Sequence, residues 1–270
     1  MFSSQRVDFA ASEPTILQGY ENMSNTMVVD VSQDWATACA VQQRFMHHDG
    51  PAADAIGYAA RCRQLRDLGG DCYDFVPLAH NSVAFAIGDA SGKSLPAALM
   101  IVNVQSSLRT AAFFVGNDPA AVLAAANRQL HSTSPVGRFA TLFYGVFDAS
   151  TQMLRYANAG HNPPIVIRRD GSLNWLDATG LPLAPFPNSS YEERAVRLQP
   201  GDTVIAYTDG MIEAVNPSGQ EWGVEGITKA ALESTAQNPD ELVDAIFSAL
   251  DEFSRGQQTD DATVLVLRAY

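Results

Sequence analysis

The chain has 270 residues, 46% of them apolar, which is enough for one large domain with a buried core. Its 30 acidic and 17 basic side chains give a formal charge of −13, which disfavours nucleic acid and anionic membrane surfaces as partners. The three cysteines, Cys39, Cys62 and Cys72, have no CxxC spacing, so they indicate neither a disulfide framework nor a thiolate zinc site, and a reducing cytoplasm suits them.

The N-terminal part of the chain divides into two segments. Residues 1–30 show no apolar period and no signal-peptide layout, so we predict a weakly ordered leader there and a single domain over 31–270. Apolar side chains then recur at helical spacing from Trp35 to Met46, which predicts an amphipathic helix over 33–47. We hypothesise that this helix regulates activity or joins two copies in a homodimer. The alternative is a helix packed on its own domain.

The remaining pattern is rich in strands. Two short β-type runs, 72–78 and 82–88, flank Ala79-His80-Asn81 and predict a hairpin. Helices are predicted over 94–113, 118–131, 224–234 and 239–253, and further strands over 56–63, 139–147, 153–159, 165–167, 173–175, 191–198, 203–207 and 262–267. The most apolar stretch, 95–104, is too short to span a membrane. Because strands follow one another directly, we expect an α+β fold with antiparallel sheets covered by helices.

Two aspartates are symmetric about the predicted hairpin. Asp71 and Asp89 lie nine residues on either side of His80, so they should face each other across the strands. Opposed carboxylates repel unless one is protonated or a cation lies between them. Each aspartate also stands beside glycine, which lets the backbone bend closely around an ion. The pattern therefore indicates a bound metal.

A second pair of aspartates follows related logic. Asp209 ends the strand over 203–208, and Asp260 precedes the strand over 262–267, so antiparallel pairing would place both at one edge. Taken singly, such Asp-Gly and Asp-Asp pairs are more often turns, but together the four aspartates form an oxygen-only site. Oxygen ligands select Mg²⁺ or Mn²⁺ over zinc, and two such ions are the usual arrangement for hydrolytic phosphoryl transfer.

Several motifs carry a family resemblance. They read LGGDCYDF (68–75), IGDASGK (87–93), RFATLFYG (138–145), AGHNPP (159–164), YTDG (207–210) and TDDAT (259–263). In this order they resemble the type 2C-like, metal-dependent protein phosphatases, in the SpoIIE-type branch that includes bacterial sigma-factor regulatory phosphatases. The resemblance implies a four-layer α-β-β-α sandwich with two Mn²⁺ or Mg²⁺ ions at one edge.

The same resemblance assigns roles to individual residues. Asp89 would bridge both ions, with the backbone carbonyl of Ala90 as a further ligand, while Asp209 and Asp260 would complete the second ion. Asp71 would bind directly or through water. Where the family usually has glycine, this chain has Ser94, which we expect to cap the following helix.

The implied activity is hydrolysis of phosphoserine or phosphothreonine on a phosphorylated signalling protein, such as an anti-sigma factor antagonist, by a metal-bound hydroxide. Two alternatives stay open from the residues. One is a noncatalytic binding or scaffold protein that keeps the fold, and the other is a two-metal phosphohydrolase of small metabolites. Activity on a phosphoprotein but not on metabolites would separate them.

Overall fold

The computed structural model describes residues 25–46, 55–78 and 82–270, with side chains in the first helix described from Gln33 onwards. Most of the predicted leader, the end of the first predicted helix after Met46, and the hairpin turn at 79–81 lie outside the described residues. The structure divides into two units, one reaching Val41 and the other running from Gln42 to Tyr270.

The order of helices and strands matches the predicted one closely. The elements are α1 (Asn25–Met46), β1 (Ile56–Arg63), β2 (Asp71–Pro77), β3 (Ser82–Ala90), α2 (Ser94–Val115), α3 (Pro119–Thr133), β4 (Ala140–Asp148), β5 (Met153–Ala159), β6 (Ile165–Ile167), β7 (Leu173–Trp175), β8 (Arg194–Arg197), β9 (Thr203–Tyr207), α4 (Asp209–Ile212), α5 (Gly223–Glu233), α6 (Pro239–Ser254) and β10 (Ala262–Ala269). Two differences stand out. Helix α1 begins at Asn25, inside the predicted leader, and the short helix α4 has no counterpart in the prediction.

The second unit contains two antiparallel five-stranded sheets. One has the strand order β1-β10-β9-β6-β7 and the other β2-β3-β4-β5-β8. Helices α2 and α3 contact the second sheet, and α6 contacts the first. The predicted α+β sandwich with helices on both outer faces is therefore confirmed.

Three apolar layers hold the sandwich together. Between the sheets, fully buried aromatic and aliphatic side chains such as Phe85, Phe143 and Leu265 pack against one another. A second layer lies under α2 and α3, and a third under α4, α5 and α6. Burial of this apolar surface is the main stabilising term for the fold.

Helix α2 is apolar along most of its 22 residues. By length and composition it could cross a membrane, but half of the relevant window is buried inside the domain. A core helix of a globular domain has this same composition.

Candidate functional site

The hairpin of β2 and β3 places two acidic side chains opposite each other. Asp71 pairs with Asp89, and the register continues to Pro77 opposite Val83. This pairing confirms the symmetry expected about His80. Asp71 is buried and Asp89 is half-buried, so both carboxylates lie where water compensates their charge poorly.

Two threonines that the sequence did not single out bind the carboxylate of Asp71. The hydroxyls of Thr208 and Thr263 donate to the same oxygen, Oδ2, at 2.7 and 2.6 Å. Thr208 follows β9 and Thr263 lies on β10, whereas Asp71 begins β2 of the other sheet. The buried aspartate therefore joins the two sheets at the edge where the acidic residues gather.

The second pair of aspartates lies at that edge through β9 and β10. These strands pair antiparallel from Val264 opposite Tyr207, so the expected arrangement is confirmed. Asp209 opens helix α4 just beyond β9, and Asp260 lies two residues before β10. The segment after β9 packs so closely on the loop before β10 that only glycine fits at position 210. A Cβ there would lie 1.8 Å from the carbonyl oxygen of Asp261.

A glycine also brings the loop before β2 close to the predicted bridging residue. The Ala90 N–H donates to the Gly70 carbonyl at 3.0 Å. A Cβ at Gly70 would lie 3.1 Å from the Ala90 carbonyl oxygen and 3.4 Å from Asp89 Oδ1. Gly70 thus leaves open the space beside the two oxygens to which the family resemblance assigns metal binding.

The electrostatics of this edge are unfavourable without a cation. Burial, followed by repulsion from Asp71 and Asp209, raises the pKa of Asp89 to about 9. Burial also raises the pKa of Asp71 to about 8, although the hydrogen bonds from Thr263 and Thr208 oppose the shift. Burial and the charge of Asp260 raise the pKa of Asp209 in the same direction. All three carboxylates share the same causes: they are shielded from water, and other negative charges lie close to them.

Other groups hold some of the carboxylates. Lys93 Nζ donates to Asp260 Oδ2 at 2.5 Å, and the backbone N–H groups of Leu65 and Gly70 donate to Asp261, both at 2.7 Å. Within residues 25–46, 55–78 and 82–270, no three acidic, histidine or cysteine side chains form a closed metal-binding group. The assignment of Asp71, Asp89, Ala90, Asp209 and Asp260 as ligands therefore stays a prediction.

The residues present nevertheless fit a hard divalent cation. Among the described residues, the half-buried carboxylate of Asp89 has four acidic neighbours and receives no side-chain hydrogen bond. The donors at this edge are carboxylate and carbonyl oxygens, which are the ligands that Mg²⁺ and Mn²⁺ prefer. A bound cation would offset both the burial and the repulsion that raise the aspartate pKa values.

Asp74, which lies in the first motif, binds an arginine on α2. Its buried carboxylate accepts two hydrogen bonds from Arg109 on α2, from Nε at 2.6 Å and from Nη2 at 2.5 Å. Paired arginine contacts of this geometry are strong and directional. Asp74 therefore anchors α2 to β2.

The expected cap at Ser94 is wrong. The N-cap position of α2 is Lys93, which makes no side-chain cap, and the Ser94 hydroxyl accepts from Arg66 at 2.7 Å. Ser94 has a φ of +60°, in the left-handed region that glycine adopts most easily. This explains why the related motif usually carries glycine there.

His161 is buried in the turn that follows β5. Its ring atom Nδ1 lies 2.9 Å from the Thr141 hydroxyl, and its backbone N–H donates to Asn158 Oδ1 at 2.8 Å. Burial lowers the pKa of His161 to about 4, so the ring is neutral at pH 7. Thr141 is the cross-strand partner of Asp89, which places this turn behind the acidic edge.

The C-terminal end of α1 contacts the loop that leads to Asp71. The buried side chain of Gln42 donates to the Gly69 carbonyl at 2.7 Å and accepts from the Gly69 N–H at 3.2 Å. One side-chain amide thus binds both backbone polar groups of Gly69, the residue directly before Gly70. No sequence pattern pointed to this contact.

Comparison with known proteins gives a consistent family relationship. The SpoIIE family model, described as Stage II sporulation protein E, matches residues 79–270. The phosphoserine phosphatase RsbU of Bacillus subtilis is 27% identical over 242 residues, which cover 88% of this chain and 71% of RsbU. Protein IcfG of Synechocystis is also 27% identical, but the match spans 84% of this chain and only 40% of IcfG.

Solved structures share the fold. The SiaA-PP2C domain of Pseudomonas aeruginosa superposes with a TM-score of 0.77 at 20% identity, covering 92% of this chain and all of that domain. The catalytic domain of the serine threonine protein phosphatase PstP, solved with two manganese ions, gives a TM-score of 0.57 at 19% identity, covering 79% of this chain and 98% of that one.

Proposed function

Because the chain belongs to the SpoIIE family of protein serine/threonine phosphatases, we propose that it hydrolyses phosphoserine or phosphothreonine on a phosphorylated bacterial signalling protein. The observation that carries this proposal is the opposed pair Asp71 and Asp89, joined at one edge by Asp209 and Asp260. The similarity to the phosphoserine phosphatase RsbU supports a phosphoserine substrate. The resemblance of the motifs to the SpoIIE-type branch favours an anti-sigma factor antagonist or a similar signalling protein as that substrate. The charge of −13 supports a protein rather than a nucleic acid partner.

We propose that Mn²⁺ or Mg²⁺ ions are held by Asp71, Asp89, Asp209, Asp260 and the Ala90 carbonyl. Such ions supply Lewis acidity to water and to phosphoryl oxygens. The chain's own groups prepare this edge. Thr208 and Thr263 fix the Asp71 carboxylate, and Gly70 leaves room beside Asp89. The two manganese ions of the similarly folded PstP domain support the choice of cation.

The test is phosphate release from p-nitrophenyl phosphate and from a phosphoserine peptide, with Mn²⁺ or with EDTA. We expect Asp89→Ala to lower kcat/KM at least about a hundredfold, because it removes the carboxylate that faces Asp71 and that we propose as a ligand of both ions. Asp170→Ala is the matched control, since Asp170 is an exposed turn residue whose carboxylate accepts from the Ser172 N–H. Equal turnover by wild type and Asp89→Ala would refute the proposal.

We further propose that α1 regulates this activity or forms a homodimer contact. Trp35 and Val41 are exposed on the described part of the helix, and Gln42 contacts the Gly69 peptide beside the site. If α1 joins two copies, Trp35→Ala combined with Val41→Ser should halve the mass measured by light scattering. An unchanged dimeric mass would exclude this contact, and a monomeric wild type would exclude the dimer.

The free thiols of Cys39, Cys62 and Cys72 support a working place in a reducing compartment such as the cytoplasm.

A further inference from the structure

A groove lies beside the acidic edge, between the N-terminal half of α2 and the segment that precedes β4. It has a volume of about 340 Å³ and is bordered mainly by apolar groups. Helix α2 contributes Leu95, Pro96, Leu99 and Met100 to its lining, and the segment before β4 contributes Pro135 and Arg138. Its size suits one or two side chains of a partner rather than a large cofactor.

Large apolar side chains are exposed around this groove. Leu95 and Leu99 are 40% and 65% exposed although they belong to a helix whose other face is core. Val136 and Phe139 belong to the segment before β4 that also contains the groove residues Pro135 and Arg138; Val136 is fully exposed and Phe139 is 40% exposed. Single exposed apolar residues are normal, but several around one concave surface mark an interaction site.

The groove is continuous with the acidic edge. Arg138, at its border, donates from Nη1 to the Ser91 carbonyl at 3.0 Å, and the Phe139 N–H donates to the Ser91 hydroxyl at 3.0 Å. Ser91 is two residues after Asp89, and Lys93 in the same loop reaches Asp260. A chain segment lying in the groove would therefore come close to the loop that follows Asp89.

The positive charges beside the groove favour a phosphorylated segment as its occupant. Three cationic side chains, Arg66, Lys93 and Arg138, lie around the loop over 91–94 although the whole chain carries −13. Cations next to an apolar groove complement a phosphate group that is followed or preceded by an apolar residue. A second copy of this chain would bring its own acidic surface and no phosphate.

We propose that this groove holds an apolar side chain of the phosphoprotein substrate, close in sequence to the phosphorylated residue, and so determines which phosphorylation sites are hydrolysed. Leu95 and Leu99 supply the contact surface, and Arg138 connects the groove to the acidic edge. The inference rests on the proposed phosphatase activity.

The test uses a panel of phosphoserine peptides of Gly and Ser. One leucine is placed in turn at each position up to four residues on either side of the phosphoserine, and a peptide without leucine is the reference. For the wild type, we expect at least one leucine peptide to have a kcat/KM about fivefold or more above the reference. In the double variant Leu95→Ser, Leu99→Ser, the ratio of kcat/KM for that leucine peptide to kcat/KM for the reference peptide should fall to within about twofold of one. Leu232→Ser is the matched control, because Leu232 is a 52% exposed helical leucine on α5.

The outcomes separate the two proposals. Absence of hydrolysis of every peptide and of p-nitrophenyl phosphate by the wild type would contradict the phosphatase activity itself. Equal kcat/KM for all peptides, or an unchanged ratio in the folded double variant, would overturn the groove assignment while leaving the activity in place. A change in oligomeric mass without a change in the ratio would also overturn it, because the groove would then be an interface between copies.

Discussion

At the scale of single residues, the site is defined by carboxylates that lie close together at one edge of the sandwich. Asp71 and Asp89 face each other across β2 and β3, and burial raises both pKa values far above the ordinary value near 3.8. A carboxyl whose pKa is raised by folding binds more protons in the folded than in the unfolded state. Its contribution to stability is therefore lost as pH rises between the two pKa values.

This gives a prediction for the metal-free protein. In EDTA, the wild-type Tm should fall between pH 5 and pH 8, because the Asp89 pKa of about 9 lies above that window and the unfolded value lies below it. Asp89→Asn should reduce this fall by at least about 3 °C, which corresponds to roughly 1 kcal/mol for a domain of this size. Thermal unfolding at both pH values measures it. A fall of equal size in both proteins would contradict the assignment.

Hairpin symmetry predicted one half of the site from sequence, because antiparallel strands convert equal distances from a turn into contact. Strand ends predicted the other half, Asp209 beside Asp260. The contacts of Lys93 with Asp260 and of Thr208 and Thr263 with Asp71 could not be predicted, since they join residues 137 to 192 positions apart without a repeating pattern. The failed Ser94 cap shows that residue type alone does not reveal a positive φ.

At the scale of helices and strands, the period of apolar residues predicted nearly all elements, because each buries one face against a sheet. The exceptions have physical reasons. Helix α4 has four residues, too few to show a period, and it exists because the chain turns sharply at Gly210 against Asp261. Helix α1 begins at Asn25, earlier than predicted. The prediction missed these first turns because residues 25–32 carry no clear apolar stripe.

The contact between α1 and the loop before β2 gives a second prediction. Gln42→Ala should lower kcat about tenfold with little change in KM, because the Gly69 peptide loses both hydrogen bonds and Gly70 and Asp71 follow directly. Arg44→Ala, at an exposed position of the same helix, is the control. Steady-state kinetics on p-nitrophenyl phosphate measure the effect. A kcat within about twofold of wild type would show that the Gly69 contact is only structural.

At the scale of the whole molecule, negative charge is distributed unevenly. Residues 223–254, which include α5 and α6, carry seven acidic side chains and one basic side chain, Lys229. Residues 94–133, which include α2 and α3, carry one acidic and two basic side chains, Asp118, Arg109 and Arg128. The helical layer next to the proposed groove is thus nearly neutral, and the opposite layer is strongly acidic.

This charge predicts a salt effect. For a phosphopeptide with several acidic residues, kcat/KM should rise about two- to fivefold between 20 and 200 mM NaCl, because salt screens repulsion from a molecule of charge −13. An uncharged flanking sequence should show a smaller change. A decrease for the acidic peptide would indicate a local cationic contact that outweighs the net charge.

The central position of β10 has a consequence for synthesis. This strand lies between β1 and β9 and brings Asp260 and Asp261 to the edge. A nascent chain that has not yet reached Ala262 leaves both neighbouring strands without their partner, and Asp71 lacks Thr263. The ribosome must therefore complete nearly all of the domain before the acidic edge can form, so on the proposed function a partly translated chain is inactive.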